Sequence, residues 1–442
     1  PWPVLAGERG EQDLADGQAH DAGALLASMD AMSSGVGLVP EQAWDAPDVP
    51  ASPYGSDPST ASIGFVNGRP DGSAAPLTWG SAAQVRLVAD LSARRVVERP
   101  AQTFARYVIH TQTTTPLTVT SPIDQTATGQ TSIAVSGTAA PGARIDIAAI
   151  ATDNNDAATT ASSPVGASGA FSVNIAVAPG TNVIVVTSTA PGGGTAQVVR
   201  TIVSTVVTGT LLFGQADPAG DDNGPGNYAY PTASDFHPGA FDLTGFQVYD
   251  TGSTVTFRVQ TRDLSPTFGS PLGAQLVDVY VHNPNSVVSS TAASYASRNY
   301  TIAPADAWSR LIEVQGFGQR FIDATGITVG MANIRANAIS RYITFSVDKI
   351  ALGGTPASGW AFTVTLTGQD GYSPDQARGF TATPSGYSFG VCATASLAPI
   401  CTFNPSSVPK VMDTLTPPGV NQADELNYLA HNPVVLAGVS IP

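Results

Sequence analysis

Two groups of side chains have the types and spacing to do chemistry. The first is Leu38-Val39-Pro40-Glu41-Gln42-Ala43-Trp44-Asp45, a carboxylate set beside an indole. Carboxylates flank the scissile bond in glycosidases, and aromatic faces stack on sugar rings. Read from residues alone, Glu41 is either such a carboxylate, with Trp44 as a sugar-contacting ring, or a solvated loop glutamate. The second group is the stretch 215–231, where Asp217, Asp221 and Asp222 stand with Asn223 and Asn227 among glycines that permit tight turns. Hard oxygen ligands at that density suit Ca²⁺, although the alternation and terminal Glu of an EF-hand are missing. A calcium loop and a plain acidic turn both remain open on this pattern. Cys392 and Cys401 complete the inventory. They permit a small-loop disulfide, which implies an oxidising compartment, or a pair of reduced, part-buried thiols.

Other candidates read as structural. His237 and His282 stand apart from any Cys/His cluster, which argues against zinc. Gly192-Gly193-Gly194 lacks the Lys-Ser/Thr pair of a phosphate loop. Nothing in the sequence draws a Ser, a His and an Asp together as a triad requires. Trp308 and Trp360 are sugar platforms or core residues, and in a β-sandwich the core is the commoner place.

Three textures must position these groups. Residues 11–34 carry Leu14, Ala22, Leu25, Leu26, Met29 and Met32 at helical spacing, and 79–94 carry Ala82, Val85, Val88 and Leu91 at every third position. Between the two lies a Pro/Gly/Asp-rich loop, 36–78, of a length usually reserved for function. Two helices cannot bury their apolar faces alone, so this part is expected to need further partners. A Thr/Pro linker at 111–120 then gives way to short β-like runs at 131–136, 144–150, 171–176, 182–188 and 197–204, a spacing that suggests a small Ig-like β-sandwich. From 208 the strands lengthen and aromatics increase, with candidates at 245–249, 254–260, 276–282, 311–315, 342–347, 361–367 and 386–391, as in a larger jelly-roll-like β-sandwich. The expected organisation is multidomain and mainly β, with domains at 1–112, 113–207 and 208–442.

Composition narrows the function classes. The chain has 442 residues, of which 42% are hydrophobic and 12% charged, a globular balance. Its net charge of −15 argues against nucleic acid, whose phosphates need Lys and Arg, and is compatible with a neutral sugar or a bound cation. No apolar run reaches the 18 residues of a membrane span, so no span is expected. No signal peptide appears, which says little because the sequence opens at Pro1 without a Met, in mid-domain as its texture reads, and a fragment is expected.

Three blocks, Trp2-Pro3 through Gly7-Glu8-Arg9-Gly10, then Pro40-Glu41-Gln42-Ala43-Trp44-Asp45, then Ala75-Pro76-Leu77-Thr78-Trp79-Gly80, occur in the order found at the end of glycoside hydrolase family 15 catalytic domains. That family includes glucoamylases and bacterial glucodextranases. The resemblance implies that 1–112 is the C-terminal segment of an (α/α)6 barrel and that Glu41 is the general base of an inverting exo-glucosidase. In such a reaction a carboxylic acid protonates the leaving oxygen while the base activates water, the two standing ~6.5–9.5 Å apart. No counterpart of the acid is found in this sequence. It is expected in a missing N-terminal part of the domain, which would leave the chain inactive by itself. Glu11-Gln12 stands where the bacterial pattern usually has an aromatic, and the loop 46–74 is long, so subsite shape is not carried over.

The later part resembles the two domains that follow the barrel in glucodextranases. The acidic loop leads into His237-Pro238-Gly239-Ala240-Phe241-Asp242-Leu243-Thr244. Ser270-Pro271-Leu272-Gly273, Val277-Asp278-Val279-Tyr280, Gly368-Gln369-Asp370-Gly371-Tyr372, Asp413, Leu415 and Pro418-Gly419 follow. These blocks look like the glucodextranase C-terminal domain, a carbohydrate-binding or cell-surface type of β-sandwich, and 113–207 resembles the Ig-like domain before it. With that resemblance, Asp217, Asp221, Asp222 and Asp242 are the candidate calcium ligands. The implied parent is a secreted or cell-surface bacterial enzyme that releases β-D-glucose from α-1,6 bonds of dextran-type glucans. The alternatives are a glucan 1,4-α-glucosidase acting on starch or, for this chain alone, a non-catalytic module that binds glycan or cell wall.

Overall fold

In the computed structural model, residues 1–52, 63–100, 103–104, 107–108, 115–153 and 155–442 are described. The middle of the long loop (53–62), the start of the linker and the 112/113 boundary lie outside them. The chain separates into one unit over Pro1–Thr114 with Gly192–Thr195, and a second over Thr115–Pro191 with Ala196–Pro442.

Among its described residues the first unit contains the helices α1 (Pro3–Ala15), α2 (Ala19–Met32) and α3 (Thr78–Ala93). The single helix expected over 11–34 is therefore two. Pro3 in the first turn starts α1 where its missing N–H costs nothing. Gly17, in the left-handed region at φ +82°, separates it from α2. Gly7 and Gly10 let α1 approach α3, because a Cβ at either would run into Ala83 or Leu87. The shared core is small: Val4, Leu14, Ala22, Met29, Ala83 and Leu87.

The buried face of α3 is Gly80, Ala83, Leu87 and Asp90, not the Ala82/Val85/Val88 row that the threefold spacing suggests. Val85 and Val88 are 68% and 49% exposed. The 3.6-residue period selects the row that α1 can approach, and a spacing of exactly three drifts off it. Among the described residues these helices close no barrel.

The second unit begins with β1 (Leu117–Ser121), β2 (Thr126–Thr128), β3 (Ser132–Ala139), β4 (Arg144–Ala151), β5 (Ala157–Pro164), β6 (Ala170–Ala176), β7 (Gly180–Thr189) and β8 (Thr195–Ser204). They form a three-stranded sheet, β1-β3-β6, and a five-stranded one, β2-β8-β7-β4-β5. Alternate residues of β4, β6 and β7 point inward, so Ile145, Ile147, Phe171, Val173, Ile184 and Val186 meet in one core. Edge strand β5 is largely exposed and lacks large apolar residues, so its alternation is not legible in the sequence.

A larger sandwich follows, with strands β9 (Thr210–Ala216), β10 (Leu243–Asp250), β11 (Thr254–Thr261), β12 (Gln275–His282), β13 (Tyr300–Ile302), β14 (Arg310–Gln315), β15 (Gly318–Asp323), β16 (Asn333–Asn337), β17 (Tyr342–Asp348) and β18 (Ala361–Gly368). The short strands β19 (Phe380–Thr381), β20 (Phe389–Gly390), β21 (Asp413–Thr414), β22 (Val434–Leu436) and β23 (Val439–Ser440) complete it. One sheet runs β16-β17-β11-β10-β9 and the other β15-β14-β12-β18-β21. Their inner faces meet through aromatics. Phe362 of β18 lies 5.5 Å from Phe246 of β10 and 5.8 Å from Phe213 of β9, ring centre to ring centre. This core makes a rigid frame, and the acidic loop after β9 hangs from its edge.

Candidate metal centre and binding module

The acidic loop folds back onto two strand ends. Asp217 follows β9 directly, and its N–H donates to the Thr244 carbonyl (3.1 Å). The loop turns at Gly224, which sits at φ +57° and where a Cβ would run into the Tyr228 ring. Tyr228 is in turn pinned by its hydroxyl, which donates to the Pro409 carbonyl at 3.0 Å. Gln422 braces the loop from the other side. Its Nε2 donates to the Asp221 carbonyl (2.6 Å), and its Oε1 accepts from the Thr414 N–H (3.0 Å).

Asp217, Asp221 and Asp413 each bring a carboxylate oxygen to within 4.8 Å of the others. Asp413, on β21, is fully buried and oriented by two backbone donors, Leu243 N–H (2.6 Å) and Thr414 N–H (2.7 Å). Asp242 is equally buried; its Oδ2 accepts from Gly220 N–H (2.8 Å) and pairs with Arg262 Nε at 2.7 Å. Three buried oxygens here have no hydrogen-bond partner: Asp217 Oδ2, Asp221 Oδ1 and Asp242 Oδ1. Buried acceptors are normally paired, so three in one place fit a cation rather than a packed core.

The electrostatics agree. Burial, then the Asp221 and Asp242 carboxylates, push the Asp217 carboxyl up to about 8. Burial and the neighbouring Asp222 push Asp242 up to about 6. Burial followed by Asp217 and Asp221 carries Asp413 well above the usual carboxylate range. The group needs positive charge, and Arg262 supplies one guanidinium from the outside. An all-oxygen set of this kind suits a hard divalent ion such as Ca²⁺.

The four residues expected from sequence are placed differently from one another. Asp217 and Asp221 enter the cluster. Asp242 borders it with one orphaned oxygen. Asp222 turns away: its Oδ2 accepts from the Tyr230 hydroxyl and faces Arg262 at 3.6 Å, which makes it a loop anchor. Asp413 comes from a strand almost two hundred residues downstream. Its sequence places it in a block resembling the glucodextranase C-terminal domain, but only as a lone acid in the stretch Val411-Met412-Asp413-Thr414-Leu415, with nothing to mark it as a ligand.

The short helix that carries Gln422 also carries Glu425, whose Oε1 accepts from Ala437 N–H (2.8 Å) while Oε2 is buried without a partner. Burial pushes this carboxyl up to about 7, the Ala437 bond opposing and Asp306 adding to it. A raised carboxyl stabilises the fold below its unfolded pKa, and that contribution is lost as pH rises through about 7. Glu425→Gln should therefore melt like the wild type near pH 4 and above it at pH 8. A Tm difference that does not grow between those pH values would contradict this assignment.

Glu41 lies in the helical unit. Its N–H donates to the Ala74 carbonyl (2.7 Å), and Ala74 N–H returns to Glu41 Oε2 at 3.4 Å. The carboxylate stays part-exposed. Trp44 donates its indole N–H to the Pro47 carbonyl (2.8 Å) and packs, tilted, against Phe65 with ring centres 5.0 Å apart. In the larger sandwich, Trp308 and Trp360 are buried, so they belong to the core. Cys392 and Cys401 are joined, their Cα atoms 5.5 Å apart, and close a short loop.

The observation that decides the family is a match of residues 212–438 to the C-terminal, SLH-like binding module of glucodextranase. The chain belongs to that family. The matched range takes in the acidic cluster, both sheets of the larger sandwich and the disulfide loop. No curated protein sequence matches the chain. Among solved structures, it is similar to a tetra-tandem repeat in the extending region of a large adhesion protein (15% identity, TM-score 0.19), covering 58% of this chain and 45% of that one. Red sea bream transglutaminase follows at 13% identity and TM-score 0.18, with coverage of 65% and 34%. A Ca²⁺-stabilized adhesin of an ice-binding Antarctic bacterium has 17% identity and TM-score 0.15, with coverage of 59% and 46%. The chain thus spans less than half the length of each of these three structures. Among the described residues no helix is long and apolar enough to cross a membrane.

Proposed function

We propose that the glucodextranase-type module binds neutral α-glucan at the surface of a bacterial cell or in a secreted enzyme, with Ca²⁺ held by Asp217, Asp221 and Asp413. The observation that carries the reading is the family match over 212–438, which includes every residue of the cluster. Three orphaned buried oxygens support the cation, and the net charge of −15 suits a ligand without charge of its own. Asp242 would complete the shell through its free Oδ1.

The helical unit fits a hydrolytic partner for this module. In that reading it is a segment of a family 15 (α/α)6 barrel, and the apolar face of α3 left exposed at Val85 and Val88 is where further helices pack. Glu41 is the base that activates water for inverting hydrolysis of terminal α-1,6 bonds. Its part-exposed carboxylate accepts from Ala74 N–H at 3.4 Å, the Glu41 backbone N–H donates to the Ala74 carbonyl, and the carboxylate is left open to water. Trp44, braced by Pro47 and Phe65, offers a ring edge nearby.

In the active hydrolase that carries this segment, Glu41→Gln should lower kcat by about 10²–10⁴-fold with KM little changed, because the amide cannot take the water proton. An unchanged kcat would remove Glu41 from the role. Glucose release from dextran should exceed release from soluble starch, and the reverse preference would move the specificity to α-1,4.

A further inference from the structure

We propose that one end of the larger sandwich is an aromatic platform for the hexose rings of an α-glucan, with Phe268 and Tyr387 as its stacking faces. The proposal rests on the glycan-binding reading above and adds the place where the sugar lies. The first observation is a turn. Thr267 and Ser270 bond to each other in both directions (3.1 and 3.0 Å), and the two residues between them, Phe268 and Gly269, have φ of +52° and +76°. A two-residue turn with both φ positive favours Asn or Gly at each position. Glycine meets that demand at 269, whereas a bulky aromatic at 268 is an outlier. Packing on Phe236 and Tyr387 covers part of the ring, yet Phe268 remains 38% exposed. A strained residue that presents its ring to solvent points to what the ring contacts.

The second observation is what surrounds that ring. Tyr387, 56% exposed, stands 6.5 Å from Phe268, and both pack on the buried Phe236 at 6.0 and 5.8 Å. Arg378 fastens the loops beneath. It is buried, lies 4.7 Å from the Phe236 ring centre, and donates to the Tyr387 carbonyl (2.6 Å) and the Gln369 carbonyl (2.7 Å). The ring positions are therefore fixed before any ligand arrives, which lowers the ordering cost of binding. Tyr372, 83% exposed, belongs to the loop that begins at Gln369.

The chemistry selects the occupant. A hexose shows apolar C–H faces to aromatic rings and hydroxyls at its edge. Here Asp235, which accepts from the Tyr387 hydroxyl at 3.4 Å, borders the rings as an acceptor for those hydroxyls. Arg378 is buried, with Nη1 and Nη2 turned to backbone carbonyls, so it offers no open cation to a phosphate or uronate, and the net charge of −15 disfavours anions.

The test is titration of the full chain with soluble dextran and, separately, soluble starch, alongside Phe268→Gly and Tyr387→Ala. Phe268→Gly removes the ring and gives the turn the residue it favours, so relieved strain offsets lost packing and the variant should fold. Each variant should lose about tenfold in affinity. Wild-type affinity in a folded Phe268→Gly and Tyr387→Ala pair would overturn the platform and leave the glycan-binding reading standing. A wild-type chain that binds neither glucan would overturn both.

Discussion

Calcium should raise the melting temperature of the larger sandwich, and EDTA should reverse the gain. The cluster of Asp217, Asp221 and Asp413 joins the end of β9, the acidic loop and β21, elements that the sequence places almost two hundred residues apart. An ion bound there by the native state alone stabilises it by about 2.7 kcal/mol at a hundredfold excess over Kd. For a domain of this size that corresponds to roughly 5–10 °C in Tm. Asp413→Asn isolates the cause. Leu243 N–H bonds to Oδ2 and Thr414 N–H to Oδ1. The single amide oxygen therefore keeps the Leu243 bond while Thr414 N–H retains Gln422 Oε1 as its acceptor, and one ligand charge is lost. The variant should fold and gain little from calcium. Equal responses in the two proteins would remove the ion from this site.

Arg298→Met should be the most damaging single change in the same sandwich. The guanidinium is fully buried between Asp278 (2.9 Å) and Glu313 (3.0 Å), and donates to the Asp375 carbonyl at 2.7 Å. Removing it strands two buried carboxylates. Burial and the adjacent Asp278 already push the Glu313 carboxyl upward, against the pull of Arg298. Breaking one partner of such a pair costs about 3–5 kcal/mol, mostly as the penalty of unpaired charge. The loss should extend to the proposed platform, because Asp375 also holds Lys410 (2.7 Å) and Ser297 (2.6 Å) and lies in the loop between Tyr372 and Arg378. Urea unfolding of the variant reads the effect. A midpoint close to that of the wild type at unchanged m-value would mean that the cluster is dispensable.

Residues with strong local signals were legible in the sequence. Strands β4, β6 and β7 announce themselves because their apolar residues alternate along one face. Asp217 and Asp221 stand out because acids and glycines crowd one short loop. What stayed hidden depends on partners distant in sequence. Asp413 joins the cluster only because β21 pairs with β18 beside the start of β10. The buried face of α3 is chosen by the glycines of α1, which no periodicity within α3 encodes. The strain at Phe268 is a backbone property, invisible until the turn is seen to be two residues long.

The most direct measurement is native electrophoresis of the whole chain through gels with and without soluble dextran, in calcium. A glucan-binding module should be retarded by the polysaccharide relative to a non-binding protein of similar charge, and EDTA should weaken the retardation. Mobility unchanged by dextran and by starch, with calcium present and the chain folded, would contradict the assignment of this module to α-glucan.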